Sequence, residues 1–313
     1  MKYELIAVAN TYSETLIELA SENSDIFVLE ADLMKASGTR VFKERFTDRH
    51  INVGIAEQNL VGVSAGLAAM GRIPFAFAMA NFMSQRACDQ VTISAAYNNF
   101  NVKLVGGFAG LSQEKNGGTH ISIMDMAIMR NLPNMKVIVP SDLSELTQVL
   151  KFASYDIGPT YIRLSRYLPQ NIFGSSYNFV FSKAYQIGNG TDLTIISTGL
   201  TTCIALEAIE SLKSIGVKPR LLHLPVIKPI DIESILRCAK QTNALITIED
   251  HSTYGGLGGM IAEIASKNCP VRLYRIGLDN SFGITADLEY QLRYFGISVE
   301  NIIDKSKKIL KIK

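Results

Sequence analysis

The chain has 313 residues, 47% of them hydrophobic and 19% charged, which is enough for roughly two domains of about 150 residues each and excludes a disordered protein. Lys and Arg number 31 against 29 Asp and Glu, a net charge of +2, which excludes nucleic acid or an anionic membrane as a partner held by bulk charge. The mean hydropathy of +0.16 points to an additional buried interface, yet no run of about 18 apolar residues offers a membrane span.

In chain order, the opening MKYELIAVAN carries one Lys but no long apolar stretch or cleavage signal, so it does not read as a signal peptide. Strand-length apolar runs follow at Ile26-Phe27-Val28-Leu29, Pro74–Ala78, Val102–Gly106 and Met135–Val139. Between them, Glu57–Met70 and Met83–Asn98 read as helices, and Asp142–Tyr155 as a third with Ser141 as its expected N-cap. A second series begins near residue 185, with strands at Leu193–Ser197, Pro219–Leu224 and Ala244–Ile248 and helices at Thr201–Ser214 and Gly255–Ser266. Strands alternating with helices imply βαβ units and mostly parallel sheets. The fold class is therefore α/β with two doubly wound domains, at residues 1–170 and 185–313, the second smaller. Between them, 171–184 lies in a stretch (Leu168–Ser182) of linker composition, with Pro169, Gly174, Ser175, Ser176 and Asn178. The basic tail, Asp304–Lys313, is expected to be a frayed surface helix.

Cys88, Cys203, Cys238 and Cys269 form no C-x-x-C pair, and His50, His120, His223 and His251 show no ligand spacing. No protein-built metal site is expected, and the reducing cytoplasm is the expected compartment.

Five groups of residues could carry chemistry. Glu57 heads an apolar helix, where a carboxylate either complements the helix dipole or projects into a site; Gly54, Gly62 and Gly66 beside it suit close packing, as at an interface. Gly106–Gly110 and Asn116–His120 form glycine-dense loops after a strand, in which His120 is either a proton shuttle or hydrogen-bond donor or a solvated surface side chain. Phe75, Phe77, Met79 and Phe82 are a stacking wall or, more commonly for such residues, core. Arg163 and Arg166 are read as two cations on one strand face, an anion site or an exposed edge. Asp250-His251 followed by Gly255-Gly256-Leu257-Gly258 opens a helix that could hold an anion, without dinucleotide-binding spacing. No phosphate-binding Walker loop, G-x-S-x-G elbow or cysteine-nucleophile signature is present.

Ile51-Asn52-Val53-Gly54-Ile55-Ala56-Glu57-Gln58-Asn59 resembles the segment of transketolase-type enzymes that carries their thiamine-activating glutamate. Phe82 with Asp89-Gln90-Val91, Gly117-Gly118-Thr119-His120, Asn131–Met135, Val139–Asp142, Arg163–Arg166 and Glu249-Asp250-His251 are similar to that family's later motifs, in the same order. The likeness covers nearly the whole chain and is to the C-terminal half of transketolase, a thiamine-pyrimidine-binding domain plus a C-terminal domain. The family's G-D-G motif and downstream metal-binding Asn are missing, so the resemblance implies one subunit of a split transketolase. A separate N-terminal-half subunit would hold the diphosphate of thiamine diphosphate through Mg2+ or Ca2+, in an α2β2 assembly.

The resemblance further implies site roles. Glu57 would hydrogen-bond the aminopyrimidine ring and, in a buried apolar setting, share its proton, with Phe82 stacking on the ring and Ile55, Met79 and Gln85 completing the cofactor contacts. His120 would be catalytic with Glu57 and, with Arg166, Phe108 and Asn116, would contact the sugar substrate; no metal ligand is assigned. The chain departs from the family where a His is replaced by Phe108, an acidic pair by Lys115-Asn116, and an Arg and a Ser by Asn10 and Ala36. Only Arg166 of the usual phosphate contacts remains, so a non-standard sugar is expected, unless lysines such as Lys115 and Lys35 or the partner chain replace the lost contacts. A 1-deoxyxylulose-5-phosphate synthase-like or 2-oxoacid dehydrogenase β-like subunit, and a non-catalytic pyrimidine-domain binding partner, remain the alternatives.

Overall fold

A computed structural model describes residues 4–312; Met1–Tyr3 at the start of the first predicted domain and Lys313 at the end of the tail lie outside the described residues. The strands in the first part of the chain are β1 (Leu5–Ala7), β2 (Ile26–Glu30), β3 (His50–Asn52), β4 (Ile73–Met79), β5 (Lys103–Gly107), β6 (Lys136–Ile138), β7 (Thr160–Leu164) and β8 (Tyr167–Pro169). Those in the second are β9 (Tyr185–Ile187), β10 (Leu193–Ser197), β11 (Pro219–His223), β12 (Val226–Lys228), β13 (Ala244–Ser252) and β14 (Arg272–Leu278).

Seven strands form the first sheet in the order β12-β6-β7-β5-β4-β2-β3, all parallel except β12. The apolar runs are unbroken because both faces of this sheet are covered. Alternate side chains divide between two layers. Val28, Phe75, Phe77 and Val105 pack with Tyr12, Leu16, Leu146 and Leu150 from the helices Ala9–Glu22 and Leu143–Tyr155. Leu29, Ala76, Ala78 and Leu104 pack on the other side with Leu60 and Val61 of the helix Glu57–Ala69. Five strands form the second sheet in the order β14-β13-β10-β11-β9, with β9 antiparallel at one edge.

Three expectations need correction, and the linker segment is tied down along its length. The segment read as one helix over 83–98 is helical, but π-turns at Phe82–Arg86 and Val91–Tyr97 flank a short α-turn at Cys88–Gln90, which shifts side chains off the 3.6-residue phase. Asp142, not Ser141, caps the next helix: its backbone is extended and its Oδ1 accepts from Glu145 N at 2.7 Å. The linker does not hang free. Leu168 and Pro169 pair with β1, Ile172 N donates to Asp142 Oδ2 at 2.8 Å, Phe179 N donates to Gln148 at 2.7 Å, and Tyr177 donates to Glu145. The tail belongs to a longer helix, Val299–Leu310, anchored by buried Ile302 and Ile309 rather than frayed. In addition β12, which lies beyond the linker in sequence, closes the edge of the first sheet.

Candidate active site

The carboxyl ends of parallel strands are where α/β sheets bind ligands, and the candidate residues gather at those ends. After β3 the chain turns through Gly54 at φ +77, a left-handed conformation that glycine takes without strain, and Glu57 opens the next helix. Glu57 is buried, at 3% exposure, and its Oε2 accepts from Arg86 Nη1 at 2.8 Å. Its setting is therefore not purely apolar: a guanidinium shares it. Phe82 follows β4 and is half-buried; the Arg86 guanidinium lies 4.0 Å from its ring centroid, and the His120 ring meets it edge-on at 5.1 Å.

The Gly-Gly-Thr-His loop is held in place although Thr119 remains exposed. Asn81 Nδ2 donates to Thr119 O at 2.7 Å, and Thr119 Oγ1 lies 2.9 Å from His120 Nδ1. A Cβ at Gly117 would stand 2.6 Å from Thr285 Oγ1, and one at Gly118 2.7 Å from Gly283 O. Only glycine lets this loop seat so closely against the second half of the chain. Gln85 bonds back to Asn81, and Met79 Sδ accepts from Gln113 at 3.1 Å. The predicted aromatic wall is divided: Phe75 and Phe77 are core, whereas Met79 and Phe82 are half-buried at the site. Ile55, at 76% exposure, and Asn116 face solvent.

After β5, Phe108 sits at φ +55, a conformation costing a non-glycine residue on the order of 1 kcal/mol. Its ring packs edge-on against Phe77 at 5.7 Å and lines a small apolar cavity with Ala9, Tyr12 and Ala36. Arg166 lies with its guanidinium 5.2 Å from the Phe108 ring and 3.9 Å from Glu114, so part of its charge is already answered.

Arg163 does not share a face with Arg166; a spacing of three residues puts them on opposite sides of a strand. Arg163 is buried and ties the two halves of the chain together. It donates to Asp125 Oδ2 at 2.9 Å, Asp250 Oδ1 at 2.8 Å and Asp250 O at 3.0 Å, so it is neither an anion site nor an exposed edge. The glycine-rich helix start after His251 is not an anion site either. Glu249 already accepts from Leu257 N at 2.6 Å and Gly258 N at 2.7 Å, and a Cβ at Gly256 would stand 2.1 Å from its Oε2. Burial pushes the Glu249 carboxyl up to about 8 in spite of these donors, and burial pushes His251 down to about 4.

Sequence reasoning missed Arg86, Asn81, Glu114 and Asp125. Arg86 stands four residues after Phe82, a spacing at which helical side chains meet, so that contact had a signal; its bond to Glu57 had none.

A planar aminopyrimidine needs a flat apolar partner and a carboxylate in its plane. Phe82 and Glu57, joined through Arg86, offer a flat apolar face and a carboxylate, so these two residues fit the pyrimidine part of such a cofactor. Among the described residues no group of three or more His, Cys, Asp or Glu side chains is placed to hold a metal ion, and no helix is long and apolar enough to cross a membrane.

Residues 4–170 match the family description "Transketolase, pyrimidine binding domain", and residues 182–302 match "Transketolase, C-terminal domain". The chain is 40% identical to a 6-deoxy-6-sulfo-D-fructose transketolase subunit of Clostridium sp., covering 99% of this chain and 96% of that one. It is 32% identical to an apulose-4-phosphate transketolase subunit of Phocaeicola vulgatus, covering 99% and 100%. A solved structure described as a split gene transketolase, inactive beta4 tetramer, superposes with a TM-score of 0.90 at 37% identity, covering 98% and 99%. Both halves of the chain match, over almost its whole length, and the chain belongs to the transketolase family, with its pyrimidine-binding and C-terminal domains on one split-type subunit.

Proposed function

We propose that this chain is the pyrimidine-binding subunit of a two-chain, thiamine diphosphate-dependent transketolase, which moves a two-carbon ketol unit from a ketose donor to an aldose acceptor. The observation that carries this reading is the group formed by buried Glu57 with half-buried Phe82 and His120 at the strand ends, which also speaks against a non-catalytic binding partner. Thiamine diphosphate supplies the carbon that carries the two-carbon unit between donor and acceptor. Glu57 holds a proton at the ring nitrogen, and Phe82 stacks on the ring. His120, fixed by Thr119, offers a hydrogen bond to a substrate hydroxyl. The partner subunit supplies the diphosphate and metal site (Mg2+ or Ca2+), in an α2β2 assembly. We place the enzyme in the cytoplasm, where its four unpaired cysteines stay reduced.

The sugar is a non-standard one. A phosphate dianion needs several charge-assisted donors to repay its desolvation. Here Phe108 and Ala36 contribute an apolar wall, and the charge of Arg166 is shared with Glu114. One partly answered guanidinium suits a monoanion such as the sulfonate of 6-deoxy-6-sulfo-D-fructose, the sugar in the name of the Clostridium relative. The test is co-expression with a partner chain carrying the G-D-G motif, then kcat/KM for 6-deoxy-6-sulfo-D-fructose and for fructose 6-phosphate with a common aldose phosphate. Turnover should require both chains and favour the sulfonate by about tenfold or more. Turnover of neither donor, nor of xylulose 5-phosphate, would refute the ketol-transfer reading. A kcat/KM of about 10⁴ M⁻¹s⁻¹ or above with phosphosugars, ordinary for an enzyme on its own substrate, would refute the non-standard sugar.

A further inference from the structure

Arg86 makes the same two contacts that the cofactor ring requires. Its planar guanidinium stands 4.0 Å from the Phe82 ring centroid, at stacking distance, and donates to Glu57 Oε2 at 2.8 Å. A flat cation stacked on that phenyl ring and bonded to that carboxylate has the shape and the hydrogen-bonding direction of a protonated aminopyrimidine. We propose that Arg86 occupies the place of the aminopyrimidine ring in the cofactor-free chain and is displaced when thiamine diphosphate binds. The inference rests on the reading of Glu57 and Phe82 as the ring site.

Three features support displacement. A carboxylate as buried as Glu57 needs a partner at all times, because an unpaired buried charge is costly; Arg86 meets that need while the ring is absent. The Arg86 side chain is 46% exposed, so its long stem can swing into solvent without unpacking core. It also ends a π-helical turn, Phe82–Arg86, a departure from regular helix that is frequent at functional sites. The arrangement keeps the site satisfied and closed to stray ligands, and every cofactor that enters does so against Arg86.

Removing the occupant should therefore tighten cofactor binding. A stacked cation and a half-exposed ion pair together predict a gain of about 5- to 30-fold for Arg86→Met, which keeps the unbranched apolar stem and loses the charge and the plane. The measurement is equilibrium dialysis of thiamine diphosphate, with Mg2+, against the two-chain complex of wild type and variant. A second readout needs no variant. In guanidino-labelled wild-type complex the Arg86 signal should carry a ring-current shift from Phe82 and lose it on saturation with thiamine diphosphate. Arg86→Lys serves for assignment. An unchanged Arg86 signal at saturation, or an Arg86→Met dissociation constant equal to or above that of wild type, would overturn displacement and leave the proposed function standing. Failure of the wild-type complex to bind thiamine diphosphate at all would overturn both.

Discussion

Arg86 and Arg163 each bind a buried carboxylate, in opposite surroundings. Arg163 is enclosed: Asp125 and Asp250 take its donors from two sides, and Tyr161 OH donates to Asp125 Oδ2 at 2.8 Å. Nothing in that cluster opens to solvent, and it spans from β7 to the end of β13, joining the two halves of the chain. The Arg86 pair is open on one side. Its carboxylate is buried, but the guanidinium is half-exposed and lies on an aromatic face. The same two chemical groups serve as a fastener where every neighbour is protein, and as a ligand-ready pair where one side is left to solvent. Burial of a charge is thus no sign of function by itself; burial with one open side is.

The largest effect that would break this comparison concerns Glu57. Glu57→Gln in the two-chain complex should lower kcat by about 10²- to 10⁴-fold, the usual range for losing a positioned proton-transfer group, while the urea midpoint stays near that of wild type. Steady-state kinetics and urea titration of the same preparation check it, and near-normal turnover would remove Glu57 from the chemistry.

Arg163→Met should behave in the opposite way. It strands Asp125 and Asp250 in the interior, and breaking a buried pair from one side costs about 3–5 kcal/mol. Urea unfolding should reveal that loss, whereas Arg86→Met strands one buried carboxylate instead of two, beside a guanidinium that was half-exposed, and should cost less. Equal losses in the two variants would mean that the enclosed and open pairs are energetically alike.

A pH series sharpens the enclosed side. The Glu249 carboxyl is raised by burial from 4.5 to about 8. A carboxyl raised in the folded state contributes stability that is complete below its unfolded value and is lost as pH rises through the folded one. Wild type should therefore lead Glu249→Gln in melting temperature at pH 5, and the lead should shrink steadily toward pH 8.5. A lead that is constant across that range would show that Glu249 does not titrate there.

Much of the fold was legible because parallel strands covered on both faces read as apolar runs, and β2, β4, β5, β10 and β11 stand within a residue or so of their expected places. The candidate site was legible in part. Glu57 at its helix head and the glycine-framed His120 have a local signature, whereas Phe82 stood out only through the family resemblance. The pairing of Arg163 with Arg166 on one face failed on strand alternation itself, and the anion site after His251 failed because Glu249, eight residues before Leu257, had already filled it.

What the sequence by itself determined is whatever repeats over a few residues: the βα alternation, the strand runs, the glycines where backbone turns or packs closely, and the carboxylate at the start of an apolar helix. Tertiary structure decided the partners. Arg86 reaches Glu57 across 29 residues and Arg163 reaches Asp250 across 87, and β12 crosses back to the first sheet. No periodicity encodes such meetings. They follow from strand order and from π-turns that shift side-chain phase, so the choice between a closed ion pair and an open one is made only when the sheets and loops have assembled around it.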